Sequence, residues 1–161
     1  MGIWFPDEAW APPPGEGPIV FDRRLFARGA RPIHVLMIED DTAIADMYRL
    51  QLEHDGYRVT VATNGDVAEA TMAVDSPDVV LLDLLLPDRS GFDVLASLNE
   101  RLPNHPPVVI LSNYGEPSMI DRGHALGAVE YLVKSRVTPA EISRHIPGWA
   151  ELGRGGGRPE S

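Results

Sequence analysis

The sequence contains no cysteine. Disulfide bonds, thiolate zinc sites and cysteine nucleophiles are therefore excluded together. Long hydrophobic runs are missing as well: the longest covers residues 79–86, is interrupted by Asp83, and falls well short of the roughly 20 apolar residues of a membrane-spanning helix. The N-terminus lacks a basic region followed by an apolar run, so no signal peptide is predicted. We expect a cytoplasmic protein without membrane insertion.

Positive charge is also scarce. The chain carries 14 Lys and Arg against 24 Asp and Glu, which gives a formal net charge of -10. Residues 1–32 hold four acids and four arginines, and residues 150–161 hold two of each, so the whole negative excess lies in residues 33–149. Binding DNA or RNA requires a basic surface, and we therefore expect no direct contact with nucleic acid.

The chain has room for one domain of ordinary size, flanked by two irregular segments. Residues 1–32 are rich in Pro and Gly and show no sustained period, which predicts a flexible N-terminal extension. Trp4, Phe5 and Trp10 could alternatively form a small docking patch there. Residues 150–161 are predicted to be a disordered Gly-rich tail, which leaves residues 33–149 as the domain.

Within residues 33–149, strand-like and helix-like patterns alternate five times. Thr42 is the predicted N-cap of the first helix, and Thr138 with Glu141 forms a capping box at the start of the last one. The strands are predicted at residues 33–38, 57–62, 78–82, 108–111 and 131–133, and the helices at 42–55, 66–74, 92–102, 118–126 and from 139 toward 146. Such alternation predicts an α/β fold, a doubly wound five-stranded parallel sheet with helices on both faces.

A polar residue follows or ends four of the five apolar strands. Ligands of such sheets bind at the carboxyl ends of the strands, so these residues mark the candidate site. They are Glu39, Asp40, Asp83, Ser112 and Lys134. Three carboxylates brought together repel one another unless a proton or a cation compensates, and an all-oxygen donor set favours Mg²⁺.

Two of these residues fit the demands of phosphoryl transfer. Charge on the transferred phosphoryl oxygens has to be balanced by donors already in place. Ser112 supplies a hydroxyl, and Lys134, the only lysine of the chain, supplies a compact ammonium group.

The order and spacing of these segments are similar to the receiver domain of response regulators in two-component signal transduction. The resemblance covers about residues 33–149 and is carried by the segments VLMIEDD, VVLLDLLLPDRSGFDVL, VVILSN and VEYLVKS. It implies a stand-alone receiver with a flavodoxin-like sheet of strand order 2-1-3-4-5. It also implies self-catalysed phosphorylation by a histidine kinase or histidine phosphotransfer protein, without turnover as an enzyme.

The resemblance assigns a role to each matching position. Asp83 matches the phosphoacceptor, Glu39 and Asp40 the acidic pair that holds Mg²⁺, and the backbone carbonyl of Leu85 would complete the metal site. Lys134 matches the ion-pair partner of the phosphoryl group.

The resemblance further implies how phosphorylation is transmitted. Ser112 matches the hydroxyl residue that binds the phosphoryl group, and Tyr131 the aromatic switch that rotates inward after that hydroxyl shifts. Pro87 and Gly91 shape the loop after the acceptor. The output would be a change in the face formed by the fourth helix, fifth strand and fifth helix, which alters the affinity for a protein partner that the sequence does not identify.

Two positions depart from the family pattern. Asn113 stands where a small residue is usual, and we expect altered rates of phosphoryl transfer or hydrolysis. Ser135 replaces the proline that usually follows the lysine, so we expect a trans peptide bond there, since a cis bond before a non-proline residue costs about 2.5 to 4 kcal/mol.

These departures keep a second interpretation open, a constitutive protein-interaction module with a degenerate pocket. A phosphohydrolase with an aspartyl nucleophile is disfavoured, because Leu85 stands where one large family of such enzymes has a second acid. Five other aspartates are interpreted as capping or solvated residues, namely Asp41, Asp46, Asp66, Asp88 and Asp93. The five histidines are assigned no metal or phosphorelay role.

Overall fold

The computed structural model describes residues 31–154. The predicted N-terminal extension up to residue 30, with its aromatic residues, and the last seven residues of the predicted tail lie outside this range. No helix within residues 31–154 combines the length and apolar character needed to cross a membrane.

The centre of the fold is a five-stranded parallel sheet of order β2-β1-β3-β4-β5. Both the doubly wound class and the strand order that the sequence predicted are thereby confirmed. The strands are β1 (His34–Ile38), β2 (Arg58–Ala62), β3 (Val79–Asp83), β4 (Val108–Ser112) and β5 (Glu130–Val133).

Four helices connect the strands, a fifth follows β5, and together they cover both faces of the sheet. They are α1 (Thr42–His54), α2 (Gly65–Asp75), α3 (Gly91–Arg101), α4 (Pro117–Ala125) and α5 (Pro139–Arg154), and a short 3-10 helix (Lys134–Arg136) follows β5. The predicted capping box is present, because Thr138 Oγ1 accepts from Glu141 N at 3.1 Å and Glu141 Oε1 accepts from Thr138 N at 2.9 Å.

Strand alternation divides the core into two layers. Leu36, Ile38 and Leu82 belong to the layer beneath α2, α3 and α4, whereas Met37 and Leu81 belong to the layer beneath α1 and α5. β1, β3 and β4 are buried along their whole length, as a parallel sheet covered on both faces requires. The site is therefore confined to the edge where the strands end.

Two predicted helix boundaries need correction. The N-cap of α1 is Asp41 rather than Thr42, because the Asp41 carboxylate accepts from the N–H groups of Ala43 and Ile44. The last helix does not stop near residue 146 but continues through Pro147 to Arg154. Ala150, predicted to belong to the tail, is buried in the layer beneath α5, so the folded unit extends past residue 149.

Candidate functional site: an acidic pocket at the carboxyl edge of the sheet

Four of the predicted site residues reach one edge of the sheet through the strands that carry them. Glu39 directly follows β1, Asp83 is the last residue of β3, Ser112 is the last residue of β4, and Lys134 directly follows β5. All strands run in the same direction, so their carboxyl ends meet at this edge. We call this region the acidic pocket, formed by Glu39, Asp40, Asp83 and Lys134.

The three acids of the pocket lie close enough to share a cation. One oxygen from each of Glu39, Asp40 and Asp83 falls within 4.8 Å of the others. Glu39 and Asp83 are 2% and 8% exposed, whereas Asp40 is exposed to solvent. Carboxylate oxygens with one side open to water suit Mg²⁺, which binds through one or two carboxylates and keeps several of its waters.

Lys134 lies between the two buried acids. Its Nζ donates a hydrogen bond to Glu39 Oε1 at 2.6 Å, and lies 3.7 Å from Asp83 Oδ2. The side chain is about 10% exposed, so this ion pair is largely removed from solvent. The lysine that sequence analysis assigned to the phosphoryl group thus lies beside Asp83 but makes its short contact with Glu39.

The electrostatics of the pocket favour an additional cation. Burial, reinforced by the neighbouring Glu39, raises the pKa of Asp83 to about 6, although Lys134 and the Leu85 N–H act in the opposite direction. Burial by itself lowers the pKa of Lys134, but the hydrogen bond that Lys134 donates to Glu39 and the charge of Asp83 outweigh it and raise that pKa. One ammonium therefore faces three carboxylates, and the chemistry of the donor set fits a divalent ion.

The loop after Asp83 folds back tightly on the end of β3. Leu85 N donates to Asp83 Oδ1 at 3.3 Å, and Gly91 N donates to Leu84 O at 2.8 Å. A Cβ on Gly91 would lie 2.5 Å from the backbone oxygen of Asp83, closer than any real contact. The glycine predicted to shape this loop is therefore required by the close approach of two backbone segments.

Ser112 and Tyr131 both bind the backbone of Tyr114. Tyr114 N donates to Ser112 Oγ at 3.0 Å, and the Tyr131 hydroxyl donates to Tyr114 O at 2.6 Å. Tyr131 is buried, and Gly123 on α4 gives its ring room, since a Cβ there would lie 3.0 Å from Tyr131 Cδ2. The side chain predicted to rotate inward already occupies the interior in this structure.

The two departures from the family pattern lie at the rim of the pocket. Asn113 is exposed directly after β4. The peptide bond between Lys134 and Ser135 is trans, as expected for a residue other than proline, and the chain turns there into the 3-10 helix.

Sequence analysis missed two groups near the pocket. Tyr48 on α1 is buried, and burial raises the pKa of its phenol while the charges of Lys134 and Glu39 act on it in opposite directions. In the loop after Asp83, Arg89 binds the start of α2, and the exposed Asp88, interpreted as a capping or solvated residue, caps that helix. The sequence did contain a signal for this contact, namely an arginine in the loop after the acceptor together with acids at the start of α2.

Comparison with known proteins agrees with this geometry. The family model described as "Response regulator receiver domain" matches residues 35–146. The chain is 34% identical over 111 residues to the phosphate regulon transcriptional regulatory protein PhoB of Rhizobium meliloti, an alignment that covers 68% of this chain and 49% of that protein. This chain therefore spans about half the length of such relatives.

Solved structures show the same architecture. A CheY-like response regulator receiver domain protein from Methanospirillum hungatei superposes with a TM-score of 0.71 at 25% identity, covering 78% of this chain and 99% of that one. The BeF3-activated N-terminal receiver domain of RstA from Klebsiella pneumoniae gives a TM-score of 0.67 at 26% identity, covering 73% and 97%.

Proposed function

Since this chain belongs to the response regulator receiver domain family, we propose that it is a phosphorylation switch in which Asp83 accepts a phosphoryl group from a phosphohistidine. The donor would be a histidine kinase or a histidine phosphotransfer protein. The observation that carries the proposal is the meeting of Glu39, Asp40 and Asp83 with a buried lysine at the carboxyl edge of the sheet.

The transfer is a direct exchange between two groups. One carboxylate oxygen of Asp83 forms a bond to phosphorus as the bond between phosphorus and the donor imidazole nitrogen breaks, and that nitrogen keeps the electron pair and takes a proton. Water later attacks the aspartyl phosphate, which releases inorganic phosphate and restores the carboxylate. The chain modifies and restores itself, so we do not propose turnover of a separate substrate.

The pocket residues divide the stabilisation of charge. Glu39, Asp40, Asp83 and the Leu85 carbonyl would hold Mg²⁺, which when bound neutralises charge on the phosphoryl oxygens. Lys134, freed from part of its attraction to Glu39, would pair with the phosphoryl group. Ser112, at the end of the neighbouring strand, would donate its hydroxyl to a phosphoryl oxygen.

The output would be a change in a protein-binding face. Ser112 and Tyr131 meet at the backbone of Tyr114, so a shift of the Ser112 hydroxyl alters the contact that holds Tyr131. This route leads to the face formed by α4, β5 and α5. Residues 33–149 carry the negative excess, so we propose that this domain signals by protein contact and not by contact with nucleic acid.

Intact-mass measurement tests the proposal directly. The protein is incubated with acetyl phosphate and Mg²⁺, and the wild type should gain the mass of one phosphoryl group and lose it on standing. Asp83→Asn should gain none, whereas Asp46→Asn, at an exposed position on α1, should behave like the wild type. Equal labelling of Asp83→Asn would disprove the assignment of the acceptor.

A constitutive protein-interaction module is the second candidate. It is favoured by Asn113 and Ser135, and by Tyr131 already lying inside. Beryllofluoride with Mg²⁺ separates the two functions, because a switch should show amide NMR shifts from the pocket to α4 and β5. A spectrum that does not change on addition of beryllofluoride would favour the module.

A further inference from the structure

The tip of the loop after Asp83 is bound to the first turn of α2. Asp88 Oδ1 accepts from Gly65 N at 3.0 Å, and Asp88 Oδ2 accepts from Asp66 N at 3.1 Å. Both N–H groups belong to the helix start, where no partner exists within the helix. These hydrogen bonds hold the pKa of Asp88 below its usual range, with the bond from Gly65 as the largest cause.

Arg89 adds a second, ionic attachment to the same helix. Its Nη2 lies 2.5 Å from Glu69 Oε2 and 3.2 Å from Asp66 Oδ1. Glu69 is largely buried, and its other oxygen accepts from Ser97 Oγ on α3 at 3.0 Å, which fixes its position. A Cβ on Gly65 would lie 2.8 Å from Arg89 Nε, so the arginine packs directly on the helix backbone.

We propose that this loop clasp, formed by Asp88 and Arg89 with Asp66 and Glu69, positions the loop for metal binding. The proposal rests on the function given above. The loop begins at Asp83, carries the Leu85 carbonyl of the metal site, and returns at Gly91. Asp88 and Arg89 are thus positioning residues that act through the loop backbone and touch neither metal nor phosphoryl group.

The loop clasp attaches the tip of the loop, which the contacts at its two ends do not reach. Its first end is held by β3, and its second end by Ser90, whose Oγ caps α3 at Phe92 N, and by the Gly91 N–H bonded to Leu84 O. Between these ends, Leu85 forms an isolated bridge with Ser90 and Leu86 packs against the core, whereas Pro87, next to the tip, lacks an N–H donor. The clasp supplies the attachment there, and second-layer partners of this kind fix the geometry of metal ligands.

Electrostatics alone predicts that loss of Arg89 affects Mg²⁺ binding in the direction opposite to that predicted by the clasp. Arg89 is a cation near an acidic pocket, so removing its charge should strengthen Mg²⁺ binding if charge were its only influence. If the clasp positions the loop, removing the guanidinium should weaken Mg²⁺ binding. The sign of the change therefore separates the two explanations.

Arg101 offers a matched control. It also pairs with Glu69, at 3.6 Å, but its side chain is 75% exposed and it lies at the end of α3, outside the loop. Arg89→Met and Arg101→Met each remove one positive charge and one partner of the same carboxylate. Only the first of the two releases the loop.

The experiment is calorimetric titration of each variant of the 161-residue chain with Mg²⁺, with no phosphodonor present. Arg89→Met should bind Mg²⁺ about tenfold more weakly, the lower end of the usual cost of losing an outer-layer partner. Arg101→Met should bind like the wild type, and Arg89→Lys, which keeps the charge, should recover part of the affinity. In metal-free protein, the Gly91 amide should exchange with solvent faster in Arg89→Met only.

The outcomes distinguish this inference from the function on which it rests. If the wild type bound no Mg²⁺, the proposed function and the clasp would both be wrong. If the wild type bound Mg²⁺ and Arg89→Met bound it equally or more tightly, only the clasp would be wrong. Should Arg89→Met fail to fold, Arg89→Lys with affinity equal to that of a folded Arg101→Met would overturn the clasp in the same way.

Discussion

At the amino edge of the sheet, where the strands begin, polar groups form hydrogen bonds with one another. At the carboxyl edge, three carboxylates face a single lysine, so the negative charge is not neutralised. His34 N donates to Asp78 Oδ2 at 2.8 Å, Asp78 N donates to His34 O at 2.8 Å, and His34 Nε2 lies 2.8 Å from Thr60 Oγ1. At the other edge, Glu39 and Asp83 share one lysine.

The two edges show that buried polar groups can serve either the structure or a binding site. The contacts at the amino edge connect neighbouring strands without crowding like charges, although the buried His34 Nδ1 has no hydrogen-bond partner. The acidic pocket is incomplete by itself, because like charges held together cost free energy until a cation or phosphoryl group arrives. The repulsion lowers the free energy of unfolding of the ligand-free protein. A ligand that relieves the repulsion therefore stabilises the folded state when it binds.

The largest effect should come from removing the one cation of the pocket. Lys134→Met leaves Glu39 and Asp83 buried together without compensation, and breaking a buried ion pair typically costs 3 to 5 kcal/mol. We expect a loss of about 3 kcal/mol in the free energy of unfolding at pH 7.5 without metal, the lower end, because Asp83 can take up a proton. Urea denaturation measures it.

Arg49→Met is the control for Lys134→Met. Arg49 bridges Asp46 and Glu53 on the surface of α1, where solvent screens the charges, so little stability should be lost. Equal losses of stability in the two variants would mean that a lysine in the acidic pocket contributes no more than an arginine on an exposed helix surface. The proposed difference between the two edges of the sheet would then be wrong.

The second expected effect is an increase in the free energy of unfolding. A carboxyl pKa raised to about 6 from 3.8 means that the folded state holds the proton more tightly, so metal-free stability falls as the pH rises through this window. Asp83→Asn removes that cost and should stabilise the protein by on the order of 2 kcal/mol at pH 7.5.

The gain from Asp83→Asn should shrink toward pH 4, because the wild-type carboxyl is then protonated in the folded state and no longer repels Glu39. It should also shrink when Mg²⁺ is added to the wild type. Asp78→Asn at the amino edge is the matched change and should not stabilise, because it weakens the hydrogen bond from His34 N. A destabilised Asp83→Asn at pH 7.5 would contradict the repulsion.

The fold could be predicted because its determinants are local. Short apolar or alternating runs located every strand, and helical periodicity located every helix. Parallel pairing then placed Glu39, Asp83, Ser112 and Lys134 at one edge. The end of α5 could not be predicted in this way. Pro147 is unfavourable inside a helix, yet burial of Trp149 and Ala150 carries the helix past it.

The contacts within the site depended on tertiary packing. The sequence indicated that Lys134 belongs near Asp83, but its shorter contact with Glu39 follows from the positions of the ends of β1 and β5. Asp88 was interpreted as a capping or solvated residue, and it does bind a helix start, but that of α2, 23 residues earlier in the chain. Local patterns contain no information about such a partner.

The smallest effect concerns acid at the amino edge. Burial, followed by the positive charge of Arg58, lowers the pKa of His34 below 6.5, so the folded state binds this proton less readily than the unfolded chain. Stability from His34 is present above pH 6.5 and is lost as the pH falls below it. The two edges should therefore respond to acid in opposite directions.

Comparing His34→Gln with its parent, both in the Asp83→Asn background, isolates this contribution. Between pH 7 and pH 5.5, the free energy of unfolding should fall less in the variant carrying His34→Gln, because glutamine keeps a polar group near Thr60 without titrating. Urea denaturation at the two pH values measures the difference. Identical slopes would show that His34 is protonated as easily in the folded state as in the unfolded chain, so that the nearby carboxylates of Asp75 and Asp78 offset the cost of burying its charge.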